Sequence, residues 1–264
     1  MSYALITGAS KGIGRALAFE LAARGYDLLL TARSQDLLEK LAAELKAKHK
    51  VAAEVFAADL SQPSASEDLK AWVEKNNFDV EILINNAGYG TWGFFDELKL
   101  EDQLNMMQLN MNALVSLCHR FIPLLRKRKA AYILNVSSTS SYQAVPTTAV
   151  YSASKAFVLT FSRGLQMELQ DSSIKVSCLV PGTTDSNFIE RANMDRLKDV
   201  AAKFSMPADK VARIALKGMF KGKVEIIPGF TNRFSYLGTK FLPKRAVEKI
   251  AAGIYHKPLK KGRE

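Results

Sequence analysis

The sequence predicts one α/β domain built on a doubly wound parallel sheet flanked by helices. Three features predict it. Short runs rich in Val, Ile and Leu alternate with longer amphipathic stretches, the strand-and-helix rhythm of such a sheet. The runs are continuously apolar rather than alternating, as strands covered on both faces are. The stretches between them are long enough to cross the sheet, and right-handed crossovers join parallel strands.

In order, "YALIT" (3–7) is the first strand and 12–24 the first helix. "DLLLTA" (27–32) is followed by helix 34–49, "VAAEVFAA" (51–58) by helix 62–77, and "EILIN" (81–85) by a long helical region, 97–128. "AAYILNVS" (130–137) leads to a helix from about 151 to 170, "IKVSCLV" (174–180) to a loop–helix region at 183–221, and "VEII" (224–227) is the seventh strand. Residues 1–228 make up this domain, with neither a repeat nor a linker inside it. Residues 229–264 have no strand pattern and mix Phe234, Leu237, Phe241, Leu242, Val247, Ile250 and Ile254 with Lys and Arg. They are expected to form a helical appendage, basic and aromatic.

The whole chain of 264 residues, 48% of them hydrophobic, can bury one large core but is short for two full domains. Cys118 and Cys178 sit in apolar segments with no metal-type or redox-type spacing, so they are expected to be reduced core thiols in a cytoplasmic protein. His49, His119 and His256 are scattered without ligand spacing, and no metal is expected. No apolar run reaches the roughly 20 residues of a membrane helix, and a strand pattern begins at once, so neither a span nor a signal peptide is expected. The net charge is +11, with "RKRK" at 126–129 and a basic tail. No recognition helix or RNA-binding signature accompanies that charge, so nucleic acid is not expected as a partner.

The first strand runs into "TGASKGIGRALA", which carries Gly8, Gly12 and Gly14 and opens a helix. Glycines there allow a tight turn, let backbone N–H groups approach a pyrophosphate and aim a helix N-terminus at its charge. Ser10, Lys11 and Ile13 share that loop. A carboxylate is usual at the end of the second strand, where it binds the adenosine 2′-hydroxyl; here the strand ends in Arg33. A guanidinium, helped by Lys11, suits a 2′-phosphate, so NADP(H) is expected over NAD(H). The plainer alternatives are an exposed helix-flanking cation for Arg33 and a solvated loop residue for Lys11.

Further on stand Asp59 in "AADLS", "NNAG" at 85–88, Asn110 in "QLNMN", Ser138, "YSASK" at 151–155 and "PG" at 181–182. In their order and approximate spacing these motifs resemble the short-chain dehydrogenase/reductase family, over residues 1 to about 228. The resemblance implies a Rossmann-type seven-stranded fold and hydride exchange between NADP(H) and a carbonyl or alcohol. It gives Tyr151 the acid/base role, Lys155 the ribose contact, Ser138 the substrate oxygen and Asn110 a water-mediated proton relay. An unperturbed phenol titrates near pH 10, and the Lys155 ammonium one turn away is expected to lower that value. Ser137 competes with Ser138, but adjacent strand residues face opposite ways and the spacing to Tyr151 favours Ser138. Asn110 and its neighbour Asn112 could also be polar residues on a helix surface.

The resemblance further assigns Asn86, Ala87 and Gly88 to the adenine-side ribose, and Asp59 and Leu60 to the adenine, although Asp59 could equally cap a helix. Pro181, Gly182, Thr184 and Ser186 would hold the nicotinamide carboxamide; Thr184 and Ser186 depart from the family's usual Val/Ile and Thr. The region after the seventh strand lacks the glycine-rich ending of many ketoacyl carrier-protein reductases, which weakens that assignment.

Residues 187–206 should form a substrate lid, with Phe188, Met194, Phe204 and Met206 as apolar candidates and Trp92, Phe94 and Phe95 on another wall, so a lipophilic substrate is expected. A homodimer or homotetramer is expected from the resemblance. The basic tail is expected to pack on the body or on a second subunit ahead of any membrane surface. The alternative function, of a different class, is an NADP-sensing binding protein that does not turn over.

Overall fold

The computed structural model describes residues 2–185, 192, 194, 205–256 and 259. Its sheet has seven parallel strands in the order β3-β2-β1-β4-β5-β6-β7: β1 (Tyr3–Thr7), β2 (Asp27–Ala32), β3 (Ala53–Ala57), β4 (Val80–Asn85), β5 (Ala131–Val136), β6 (Ile174–Leu179) and β7 (Glu225–Ile226). The "VEII" run thus pairs over two residues only, Cys178 with Glu225 and Leu179 with Ile226. Strand order reverses at β1, which pairs with β2 on one side and β4 on the other. A crevice opens beyond the carboxyl ends of strands at such a switch point.

Strand alternation sends neighbouring apolar residues into two separate cores. Ile6 and Leu30 pack with Leu17 and Leu21 of α1 (Gly12–Ala22), Leu38 and Leu45 of α2 (Gln35–His49) and Leu216 of α7 (Ala208–Phe220). Leu5 and Leu29 point the other way, to Leu69 of α3 (Ala65–Lys75), Phe121 of α5 (Leu114–Leu125) and Val158 of α6 (Ala149–Glu168). This double coverage is what the unbroken apolar runs require.

The helical region read as one piece is not regular. α4 (Leu100–Met107) passes into a π-helical segment, Gln108–Ala113, before α5 continues the same axis. The wider π turn absorbs an extra residue and re-aims the side chains around it.

After β7 the chain forms α8 (Phe230–Phe241) and α9 (Lys244–Tyr255). Tyr236 of α8 stands 4.5 Å from the Tyr142 ring, and Val247 and Ala251 of α9 are buried. No helix among the described residues is long and apolar enough to cross a membrane.

Candidate active site

The glycine-rich turn between β1 and α1 is held from below by one threonine and one asparagine. Thr7 Oγ1 accepts from the backbone N–H groups of Asn86 and Ala87, both at 2.9 Å, and donates to Ile84 O at 3.2 Å. The Asn86 amide donates back to Thr7 O at 2.9 Å and Gly8 O at 3.1 Å. Gly8 and Gly12 have φ of 65° and 55°, a region that disfavours side chains. A Cβ on Gly14 would lie 2.5 Å from Asn86 Nδ2 and against the Gly8 carbonyl. The turn is therefore a closely packed cradle at a helix N-terminus, which is the geometry an anionic pyrophosphate needs. Asn86 braces this cradle and Ala87 packs beneath it, while Ser10 and Ile13 lie in the turn and the first turn of α1.

Arg33, just beyond β2, is exposed and forms no ion pair among the described residues; Lys11 is exposed at the N-terminus of α1. Asp59 Oδ1 accepts from Ser61 N at 3.0 Å and Ser61 Oγ at 2.8 Å, so it closes a local turn rather than capping α3, whose N-cap is Ser64. The Leu60 side chain belongs to the core.

The crevice on the other side of β4 collects the polar residues. Tyr151 and Lys155 lie one turn apart on α6, 8% and 6% exposed. Lys155 Nζ donates to Val136 O at 3.0 Å and stands 5.9 Å from the Tyr151 ring centre. Ser138 follows β5 and starts the short 3-10 turn Thr139–Tyr142, its Oγ accepting from Ser140 N at 3.3 Å. It is also hydrogen-bonded to Tyr151. Ser137 turns the opposite way and donates to Lys155 O at 2.7 Å.

Asn110 sits inside the π segment, 1% exposed. Its Nδ2 donates to Tyr89 O at 2.9 Å and Ser154 Oγ at 3.1 Å, and its Oδ1 accepts from Tyr89 N at 3.1 Å. A Cβ on Gly88 would meet Asn110 Oδ1 at 2.8 Å and Lys155 Nζ at 3.2 Å, so the Gly88 backbone slots between them. Asn112 instead bonds Gln108 Oε1 on the surface.

Burial dominates the electrostatics. It pushes the Tyr151 phenol up to about 12, against a hydrogen bond from Ser138 that favours the phenolate. It pushes the Lys155 ammonium down to about 8. The lowering expected from Lys155 is not seen: burial, the largest cause, raises the phenol, and the groups that favour its phenolate are Ser138 and Ser140.

On the far side, Pro181 O accepts from Thr139 N at 2.9 Å, and Thr184 Oγ1 donates to Gly182 O at 3.1 Å. A Cβ on Gly182 would lie 2.6 Å from Asn232 Nδ2, which ties α8 to this turn. Ser186 lies outside the described residues, as do Phe188 and Phe204 of the expected lid. Met194 is buried with Trp92, Met206 packs near the first core, and Phe95 is largely exposed.

Three contributors were not singled out in the sequence. Thr7 stands beside the first glycine, so its position was readable. Ser154, inside YSASK, links Asn110 to Tyr151 O at 2.7 Å. Tyr255, from the appendage, accepts through its carbonyl from Trp92 Nε1 at 3.2 Å and Thr147 Oγ1 at 3.4 Å; no local pattern announces a contact across 163 positions.

A sequence model described as short chain dehydrogenase matches residues 2–197. A curated relative, the very-long-chain 3-oxoacyl-CoA reductase-A of Danio rerio, is 36% identical over 187 residues, 68% of this chain and 57% of that protein; the match thus spans a little over half of its length. The inactive hydroxysteroid dehydrogenase-like protein 1 of Homo sapiens is 32% identical over 201 residues, 72% of this chain and 60% of that one. Among solved structures, a short-chain dehydrogenase from Sphingobium yanoikuyae in complex with NADPH superimposes with a TM-score of 0.82 at 33% identity, over 91% of this chain and 93% of that one.

Proposed function

Because the chain belongs to the short-chain dehydrogenase family, we propose that it is an NADP(H)-dependent oxidoreductase that interconverts a ketone or aldehyde with an alcohol. The observation that carries this is the convergence of Tyr151, Ser138 and Lys155 at the carboxyl end of β5, beside a glycine cradle in which added Cβ atoms would clash.

The residues fit a nicotinamide dinucleotide. The turn containing Gly8, Ser10, Lys11, Gly12, Ile13 and Gly14 holds the pyrophosphate, and Arg33 with Lys11 binds the 2′-phosphate. Asp59 and the backbone of Leu60, whose side chain is in the core, flank the adenine, while Asn86, Ala87 and Gly88 underlie its ribose. Lys155 and Tyr151 hold the second ribose, and Pro181, Gly182, Thr184 and Ser186 take the carboxamide. Bound there, the cofactor supplies or accepts a hydride. Ser138 orients the substrate oxygen. Tyr151 donates its proton to that oxygen in reduction and removes it in oxidation; a phenol held protonated by burial is suited to the first. Asn110 fixes the Tyr89 segment and the π turn beside Lys155, from which the proton of Tyr151 is replenished.

The substrate is lipophilic: Trp92, Met194 and Met206 offer apolar walls, and the name of the Danio rerio relative points to an acyl chain. A homodimer or homotetramer is the expected assembly, with Phe157 and Met167 of α6 exposed to meet a second copy. The relative named inactive keeps a second reading open, an NADP-binding sensor. Stopped-flow NADPH oxidation with a carbonyl panel separates the two: turnover supports the enzyme, whereas binding with no turnover on any carbonyl supports the sensor.

A further inference from the structure

The appendage comes back to the crevice. Beyond the two hydrogen bonds to the Tyr255 carbonyl, the Tyr255 ring and Leu259 pack on the cluster of Trp92, Ala192 and Met194, and His256 stands edge-on to Phe94 at 5.3 Å. The Tyr255 phenol lies within electrostatic reach of the Tyr151 phenol. Thr147, which donates to the Tyr255 carbonyl, lies four residues before Tyr151 and just ahead of α6, so the end of α9 is held beside the same crevice.

We infer that the last turn of α9 roofs the substrate pocket and that Tyr255 is a specificity-determining residue, limiting the bulk of the group next to the reacting carbon. The inference rests on the oxidoreductase reading for its substrate and on the packing for its position. One side chain in an apolar pocket discriminates by about 10- to 200-fold. Tyr255→Ala in the full chain should therefore raise the kcat/KM ratio of a bulky aryl ketone to a small methyl ketone by about 10-fold, chiefly through KM. Tyr255→Phe, which keeps the ring, should retain the wild-type ratio.

A second readout needs no turnover. The chain has two tryptophans; in a Trp72→Phe background the emission reports Trp92, and Tyr255→Ala should at least double its acrylamide quenching constant. Unchanged quenching would remove the roof, whatever the enzyme does. Increased quenching with an unchanged size ratio would leave a packing residue and overturn the specificity role. If the wild type reduces no carbonyl, it is the oxidoreductase reading that fails, and the roof is judged by quenching alone.

A separate observation concerns the outer face of the same appendage. Phe230, Phe234, Leu237 and Phe241 of α8 are 82%, 70%, 47% and 81% exposed and share one helical stripe. Leu242, Ile250 and Ile254 extend the apolar surface, and Arg233, Lys240, Lys244, Arg245 and Lys249 outnumber the lone acid Glu248 around it. A second copy seated on this face would set like charges against each other, whereas an anionic bilayer complements them. We propose that α8 and α9 dock on an anionic lipid surface. The full chain should float with phosphatidylcholine–phosphatidylserine vesicles, not with phosphatidylcholine alone, and Phe234→Ser/Phe241→Ser should abolish flotation. Equal flotation with both vesicles, or with neither, would overturn the proposal, as would a dimer in light scattering that the same double substitution dissolves.

Discussion

Asn110→Ala removes three hydrogen bonds at once, from Nδ2 to Tyr89 O and Ser154 Oγ and from Tyr89 N to Oδ1. The site is buried, so water does not replace them freely. At about 1 kcal/mol each, the loss is about 3 kcal/mol. Unfolding entropy near 2.1 cal/mol/K per residue amounts to about 0.55 kcal/mol/K for a chain of this length, so Tm should fall by about 5 °C. The same bonds hold the Tyr89 segment and the π turn next to Gly88 and Lys155, and a displacement of about 1 Å there costs about 100-fold in rate. Differential scanning fluorimetry gives the first quantity and steady-state NADPH oxidation the second. A Tm within 2 °C of wild type together with unchanged kcat would refute the view that Asn110 organises the site. A lower Tm with unchanged kcat would leave it a structural brace alone.

Arg33→Asp should shift the ratio of NADPH to NADH affinity by about 100-fold toward NADH, since charge-assisted bonds of about 1.5–3 kcal/mol are replaced by repulsion; an unchanged ratio in fluorescence titrations would discard Arg33 as the selector. Gly14→Ala should weaken NADPH binding by about 100-fold, the loss of about two backbone bonds to phosphate, and calorimetric affinity within threefold of wild type would contradict the cradle. The kcat/KM for NADPH reports the free enzyme and should decline as pH rises through about 8, where Lys155 loses its proton; a flat profile to pH 9.5 would argue against a charged Lys155 holding ribose. In stability the signs differ. Lys155 binds fewer protons folded than unfolded between about 8 and 10.5, so its contribution rises across that window. The raised phenol of Tyr151 contributes below 10, and that contribution is lost by about 12.

The central strands were legible because burial on both faces leaves a mostly apolar run, whereas the edge strand β3 is only partly buried and carries Glu54. β7 pairs over only two residues, because strand propensity in "VEII" does not decide how far a neighbouring edge extends. The glycine cradle was legible for a similar reason: the glycines are demanded by close approach, and Gly14 and Gly88 show that approach. Alternation turns Ser137 and Ser138 opposite ways, and the spacing to Tyr151 is what singled out Ser138; Ser137 donates to Lys155 O. The π turn around Asn110 was not legible in its form, because one inserted residue leaves the apolar period of 97–128 nearly intact. Nor was the balance at Tyr151 and Lys155, since i,i+4 spacing gives proximity while burial is a property of the whole fold. Tyr255 at the crevice depends on the path of two helices after the last strand, which no local pattern encodes.

The central claim is that Tyr151 is the proton donor of a carbonyl reductase. NADPH oxidation against short- and long-chain ketones and aldehydes, with wild type and Tyr151→Phe side by side, tests it most directly. The account predicts turnover by the wild type that falls by about 1,000-fold or more in the variant, within the range expected for loss of a positioned acid, with NADPH affinity retained. Residual activity equal to wild type, at unchanged NADPH affinity, would contradict it.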